Sequence, residues 1–152
     1  QVNENVAEGN DPIRNDKDEI TGWKKNIYSY PSIGSPDSGA YVTAGDLDRF
    51  LRAVKSGQLL SKELTEALFT PHVDYKDKDD WMMKYGYCFW FYVDKDGKVV
   101  CLQKEGVNAG VSGAMRYFPE QDINLVILSN MEEGVWEPIW KIHELVVAGE
   151  FD

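Results

Sequence analysis

The chain has little of what most catalytic or metal-binding reactions need. Its 152 residues include two cysteines, Cys88 and Cys101, and two histidines, His72 and His143. So few thiols build no disulfide framework, and their spacing matches no structural zinc site. No apolar run approaches the roughly 20 residues of a membrane span, and no signal-peptide pattern appears. The chain opens with Gln1 rather than Met, as a processed chain does, so the sequence leaves its compartment open. Positive charge is also scarce, with 16 Lys and Arg against 26 Asp and Glu and a net charge of -10. That balance argues against nucleic acid, whose binding rests on Lys and Arg neutralising phosphates. It equally disfavours an anionic membrane surface and reads as an acidic, solubilising exterior.

Several familiar catalytic patterns are missing too. A serine nucleophile needs a base within hydrogen-bond reach. No serine has lysine three positions later, and there is no Gly-x-Ser-x-Gly elbow. His72 follows Thr70-Pro71 in a loop, and His143 falls on the apolar face of a helix, where a packed, satisfied histidine is expected. Asp94, Asp96, Gly97 and Glu105 superficially suggest a calcium loop. Such a loop places glycine sixth, whereas here it is fourth, so a hairpin turn is the simpler reading. The acidic run Asp74, Asp77, Asp79, Asp80 alternates with Lys76 and Lys78 and reads as a solvated loop. There is no glycine-rich phosphate cradle. No cofactor and no metal are expected.

What is present is enough for a folded domain. With 43% hydrophobic residues and 12% aromatics, a chain of this length can bury one core. Residues 1–38 are polar and rich in Asn, Asp, Gly, Pro and Ser, and are expected to be irregular. Such a segment is either a tail or packs against something absent from this chain, and the scattered Ile20, Trp23, Ile27, Tyr28 and Tyr30 favour the second. Order becomes legible at Thr43-Ala44-Gly45-Asp46, a capping box followed by Leu47, Phe50, Leu51 and Val54 at helical spacing, with Gly57 at the C-terminus. A second short helix is predicted from Ser61, burying Leu64, Ala67 and Leu68 and stopping before Pro71.

Beyond the charged loop Val73 to Asp80, the aromatic run Tyr85 to Val93 predicts a strand. Asp94 to Gly97 makes a turn, and Lys98 to Lys104 returns antiparallel. Gly110 to Phe118 and Ile123 to Ser129 give two more strands, separated by Pro119 to Asp122. A final helix from Val135 to Val147 carries Trp136, Ile139, Trp140, His143 and Val146 on one face. The fold class is therefore α+β: about four antiparallel strands, short helices before them and a C-terminal helix packed on the sheet. With Asp94 opposite Gly97, the hairpin places Cys101 opposite Trp90 and Cys88 opposite Gln103, and both thiols are expected free and buried.

One stretch stands out chemically. Lys104-Glu105-Gly106-Val107-Asn108-Ala109-Gly110-Val111-Ser112 closes one strand and opens the next. It is followed by Tyr117-Phe118-Pro119-Glu120 and by Leu128-Ser129-Asn130. This resembles the penicillin-recognising serine hydrolases, namely class C β-lactamases and related penicillin-binding proteins and esterases. In that family a Lys-Thr-Gly or His-x-Gly motif on an edge strand precedes strands ending in Pro-Glu and in Ala-Asn or Ser-Asn. Val42 to Leu51, Leu59-Leu60-Ser61, Thr70-Pro71-His72 and Tyr85 to Trp90 also occur there in this order. The resemblance spans roughly Gly39 to Val146.

The resemblance implies acyl transfer on a small-molecule or peptide amide or ester. The serine, its lysine one turn later and an assisting tyrosine all come from upstream of the matched region. Tyr30-Pro31-Ser32 spells Tyr-x-Ser but lies after the expected place. The chain is accordingly expected to be a C-terminal subdomain, 39–152, without the nucleophile and inactive alone, in which residues 1–38 belong with the missing half. Three positions carry over directly. Lys104 is the cation facing substrate, Gly106 lets substrate lie close to the strand, and Val107 offers a backbone N–H to an oxyanion hole, a kind of donor worth about 3–4 kcal/mol. Glu105, also in the substrate-binding stretch, departs from the family, because a carboxylate replaces the usual hydroxyl and would repel a substrate carboxylate.

Two further expectations follow from the resemblance. It favours an extracytoplasmic or cell-envelope setting. It also leaves Ile123 to Ser129 as an open apolar edge, which recruits a second copy or a rearranged N-terminal stretch. The alternative to a hydrolase is a non-catalytic ligand-binding or structural module that keeps the fold.

Overall fold

The computed structural model describes residues 5–26, 34–36, 39–77 and 81–150. It contains β1 (Asn10–Arg14), β2 (Ile20–Lys25), α1 (Ala44–Lys55), α2 (Lys62–Leu68), β3 (Val73–Asp77) and β4 (Met82–Tyr85). These are followed by β5 (Trp90–Val93), β6 (Val99–Asn108), β7 (Val111–Phe118), β8 (Ile123–Ser129) and α3 (Trp136–Ala148). Strands β3 to β8 form a six-stranded sheet in sequence order, with every neighbouring pair antiparallel. The α+β class expected from the sequence therefore holds, with two more strands in the sheet.

Helix α1 starts where the capping box requires. Thr43 Oγ1 accepts from the Asp46 N–H at 3.1 Å, and the Asp46 carboxylate accepts from the Thr43 N–H at 2.9 Å. Its Leu51 packs with Phe89, Phe91, Val93 and Leu102 on one face of the sheet. Asn124 donates to Asp48 at 2.7 Å and Lys55 pairs with Asp122 at 2.7 Å, so α1 is pinned across β8 as well. Helix α3 covers the opposite face. Along β7 the alternation is complete: Ser112, Ala114, Arg116 and Phe118 are buried toward α3, while their neighbours face α1. Val135, Ile139 and Val146 supply the helical side of that layer, and α3 ends at Gly149 in the left-handed conformation.

Four local expectations are corrected. Residues 73–77 are a strand rather than loop, paired with β4 through a bulge between Asp74 and Lys76. Positions 78–80 of that expected loop lie outside the described residues. The run Tyr85 to Val93 is not one strand. The chain turns at Gly86, whose N–H donates to the Phe89 carbonyl, and Cys88 takes φ +80°. A Cβ on Gly86 would lie 2.6 Å from the Thr70 carbonyl and 2.8 Å from the Phe91 ring, so only glycine fits this reversal. The hairpin register also differs, because the turn closes between Asp94 and Lys98. Trp90 faces Gln103, Tyr92 faces Cys101, and a bulge follows at Val93. Cys101 is buried and free as expected, but Cys88 is exposed.

The segment expected to be irregular contains the β1–β2 hairpin. It was hidden from sequence periodicity because neither strand has a buried face to write an alternating pattern: Ile20 and Trp23 stay about half exposed. Ile27, Tyr28 and Tyr30 lie outside the described residues. The hairpin docks through its base. Asn26, 5% exposed, donates to the Ala109 carbonyl, and the Asn10 N–H donates to the Asn130 carbonyl at 2.9 Å. Gly110, at φ +68°, lies so close that a Cβ there would meet Asn26 Nδ2 at 2.7 Å and Asn10 N at 2.9 Å.

Under α3, Cys101 Sγ lies 3.7 Å from His143 Nδ1, which makes this pair look like a thiol–imidazole dyad. Burial pushes the thiol up to about 12. Burial first, and then the nearby Arg116 charge, hold the imidazole down at about 4. Both groups are therefore neutral near pH 7, and the pair is packing rather than a nucleophile and its base.

Two outcomes follow from these contacts. Gly110→Ala is expected to destabilise the chain by on the order of 1–3 kcal/mol and to make the hairpin protease-sensitive, read by urea unfolding and limited proteolysis. For His143, the unfolded imidazole with its ordinary value of 6.5 takes up a proton before the folded one at about 4. Its stabilising contribution is complete above pH 6.5 and is lost as pH falls toward 4. Asp46, Asp48 and Asp122 are held below their ordinary 3.8, so their losses come lower. The urea midpoint should thus drop between about pH 7.5 and pH 5, and drop less in His143→Phe.

Candidate functional site at the open end of β6

Strand β6 outlasts its neighbour. β5 starts at Trp90, opposite Gln103, so from Lys104 onward β6 is bonded to β7 alone among the described strands. The Gly86–Phe89 turn that ends β4 and delays β5 is the local cause. The result is a strand with one paired edge and one open edge through Lys104, Glu105, Gly106 and Val107, all exposed. Such an edge presents backbone donors and acceptors to whatever lies alongside.

Alternation along β6 divides these residues between the two faces. Leu102 packs with Leu51 of α1, which puts Lys104 and Gly106 on the α1 side. Gln103 pairs with Arg116 under α3, which puts Glu105 and Val107 on the α3 side. Gly106 is opposite Gly113, and a Cβ on Gly106 would meet nothing within 4 Å. Glu105 accepts a hydrogen bond from Gln103 Nε2. The carboxylate that sequence reasoning set against a substrate carboxylate is therefore turned toward its own strand, on the face away from Lys104 and Gly106.

A cleft of about 860 Å³ opens beside this end of the sheet. Its walls are the β6–β7 turn, the end of β8, the N-terminus of α1 and residues Asn5 to Ala7 ahead of the hairpin. Gly106 and Val107 line it, whereas Lys104 and Glu105 stand beside it. The one charged side chain lining it among the described residues is Asp46. The Thr43 N–H and then the Thr43 hydroxyl hold that carboxyl below its ordinary range, with Arg49 helping.

Other residues of the sequence pattern take structural roles. Ser112 donates to the Met131 carbonyl at 2.6 Å, and Ser129 Oγ accepts from the Met131 N–H at 3.1 Å. Both hydroxyls fold the 129–134 turn rather than face a base. Asn130 donates to the Glu8 carbonyl at 3.1 Å and so helps hold the N-terminal segment. Tyr117 and Glu120 lie at the far end of β7, where Lys55 sits 3.5 Å over the Tyr117 ring and Lys98 pairs with Glu120 at 2.7 Å. His72 Nε2 bonds the Ala67 carbonyl at 2.8 Å. Asp94 Oδ1 accepts from the N–H groups of Asp96 and Lys98, which explains that turn without an ion.

Sequence reasoning missed the wall formed by Asn5 to Ala7 and the Arg116–Gln103 pair. Nothing in one-dimensional spacing could have shown the first, because Glu8 and Asn130 are joined only by the tertiary fold. An arginine in the middle of the β7 alternation was a readable signal for the second.

No protein-family model matches the chain, and no curated protein matches it. Among solved structures, the crystal structure of a penicillin binding protein from Bacillus halodurans superposes with a TM-score of 0.80 and 30% sequence identity. The match covers 95% of this chain and 41% of that one, so the chain spans about two fifths of that protein's length. The fold is that of part of a penicillin binding protein.

Proposed function

We propose that the chain supplies the substrate-facing strand wall of a β-lactamase-like or penicillin-binding serine hydrolase. In this reading the reaction is acyl transfer on an amide or ester, through a serine carried outside these 152 residues. The observation that carries it is the open edge of β6 from Lys104 to Val107, beside a cleft that takes in Gly106 and Val107. The likeness to a penicillin binding protein supports it. The roles follow from chemistry: an extended substrate lies against the bare Gly106 strip, and the Lys104 ammonium offers charge to its polar end. A Val107 N–H would stabilise the developing oxyanion. A second reading, a ligand-binding or structural module that keeps the fold, is favoured by the commitment of Ser112 and Ser129 to Met131.

The edge strand β8 enters the same proposal. It pairs with β7 alone among the described strands, and the β1–β2 hairpin touches only its end, at Asn130. We infer that its apolar Ile123–Ser129 edge takes a further strand, from a second copy or from more of the same protein.

Three measurements test this. Intact-mass analysis after a fluorescent penicillin or a fluorophosphonate should show no acylation; labelling at any serine would place the nucleophile inside the chain. Titrating a small peptide amide or ester into isotope-labelled protein should shift the Lys104–Asn108 amides and leave β3 unmoved; silence at β6 with millimolar ligand would sink the substrate-wall reading. Sedimentation should show self-association, and a strict monomer with β8 accessible would argue against the edge proposal.

A further inference from the structure

Arg116 is the only charged side chain that is buried among the described residues, at 1% exposure. It sits mid-strand in β7, under α3, in a chain that is otherwise strongly acidic. Its Nε donates to Gln103 Oε1, and its Nη1 reaches the Ile139 carbonyl at 3.4 Å. The guanidinium carbon lies 4.1 Å from the Trp140 ring centre and 5.2 Å from that of Tyr92, while Nη2 has no hydrogen-bond partner. Among the described residues no carboxylate pairs with it. The anion it does reach is one residue removed: Gln103, 2% exposed, passes the polarity on by donating from Nε2 to Glu105.

The direction of this relay is fixed by chemistry. An arginine can only donate, so the Gln103 oxygen must face Arg116 and its NH₂ must point the other way, toward β6's open end. There an ionised carboxylate is the strongest neutral-amide acceptor available. Gln103 and Arg116 are a cross-strand pair, and Glu105 is two residues along the same face. The relay therefore begins in the core and ends on the strand segment that has lost its β5 partner.

We propose that Arg116, Gln103 and Glu105 form a positioning relay that holds the open end of β6, and that Glu105 is a positioning residue rather than a substrate ligand. Segment Lys104–Val107 has one neighbour strand where an interior strand has two, so its backbone order depends on side-chain anchors. Glu105 is such an anchor: its carboxylate ties the strand end, through one amide, to the most deeply buried cation of the domain. Lys104 and Gly106 are then presented on the opposite face with their backbone fixed. The inference rests on the reading of Lys104–Val107 as a substrate wall, but its test needs no substrate, so the two can fail separately.

The test is site-resolved amide hydrogen exchange on the full chain and three variants. Glu105→Ala removes the exposed end of the relay. Gln103→Glu keeps Arg116 paired, now ionically, while repelling Glu105, so the core stays satisfied and the link is broken. The third variant combines both. Each single variant should accelerate exchange of the β7-bonded amides in Lys104–Asn108 by about tenfold, with Phe91–Val93 of β5 within about twofold of the parent. The double variant should accelerate it no more than either single one, because both act on one chain of bonds. Exchange at β6 that stays within about twofold in Glu105→Ala, or single effects that multiply in the double variant, would overturn the proposal.

Discussion

The burial of Arg116 constrains everything on the α3 side of the sheet. Removing a guanidinium from water costs several kcal/mol unless hydrogen bonds and polarisable surfaces replace the lost hydration. Here the replacement comes from Gln103 on the next strand, from the Ile139 carbonyl on α3 and from the faces of Trp140 and Tyr92. These four partners come from three elements: β6, α3 and β5. One cation thus sets the register of β6 against β7 and the seating of α3 over both. Desolvation pushes its own pKa down, while neighbours including Glu105 oppose that shift. The same charge helps keep His143 neutral, which leaves Cys101 and His143 as quiet packing groups.

The α1 side is organised differently, by apolar volume. Leu51, Phe89, Phe91, Val93 and Leu102 fill the space between helix and sheet, and the polar ties to Asp48 and Lys55 lie at its margin. Because β6 alternates between these two layers, its open end inherits both. Lys104 and Gly106 continue the α1 face past the point where apolar packing stops, and Glu105 continues the polar network of the other face. The cleft lies where both layers end, and residues Asn5 to Ala7, ahead of the docked hairpin, form one of its remaining walls.

Much of this was legible in one dimension. The capping box at Thr43 dictated the start of α1, since hydroxyl and carboxylate at that spacing satisfy each other's backbone donors. The alternation of β7 and the apolar run of β8 dictated strands, and the helical face of α3 was readable from Trp136 to Val146. The lysine-to-asparagine spacing pointed to a penicillin-binding fold, which the structural match supports. The β1–β2 hairpin was not legible, because strands with no buried face leave no periodic trace. The break at Gly86 was concealed inside a continuous aromatic run whose composition favours strand throughout.

The sequence by itself determined which segments are helix and strand on the core side, because burial writes its period directly into residue order. It also determined that no serine here has lysine three positions later. Only the tertiary structure decided that β6 runs past β5, that Gly106 borders open space and that Glu105 turns back to Gln103. Those outcomes depend on where neighbouring strands stop and on which face each side chain enters. The turn at Gly86 fixes where β5 begins, and the seating of Leu102 against Leu51 and of Gln103 against Arg116 fixes the faces; neither leaves a mark in composition or spacing.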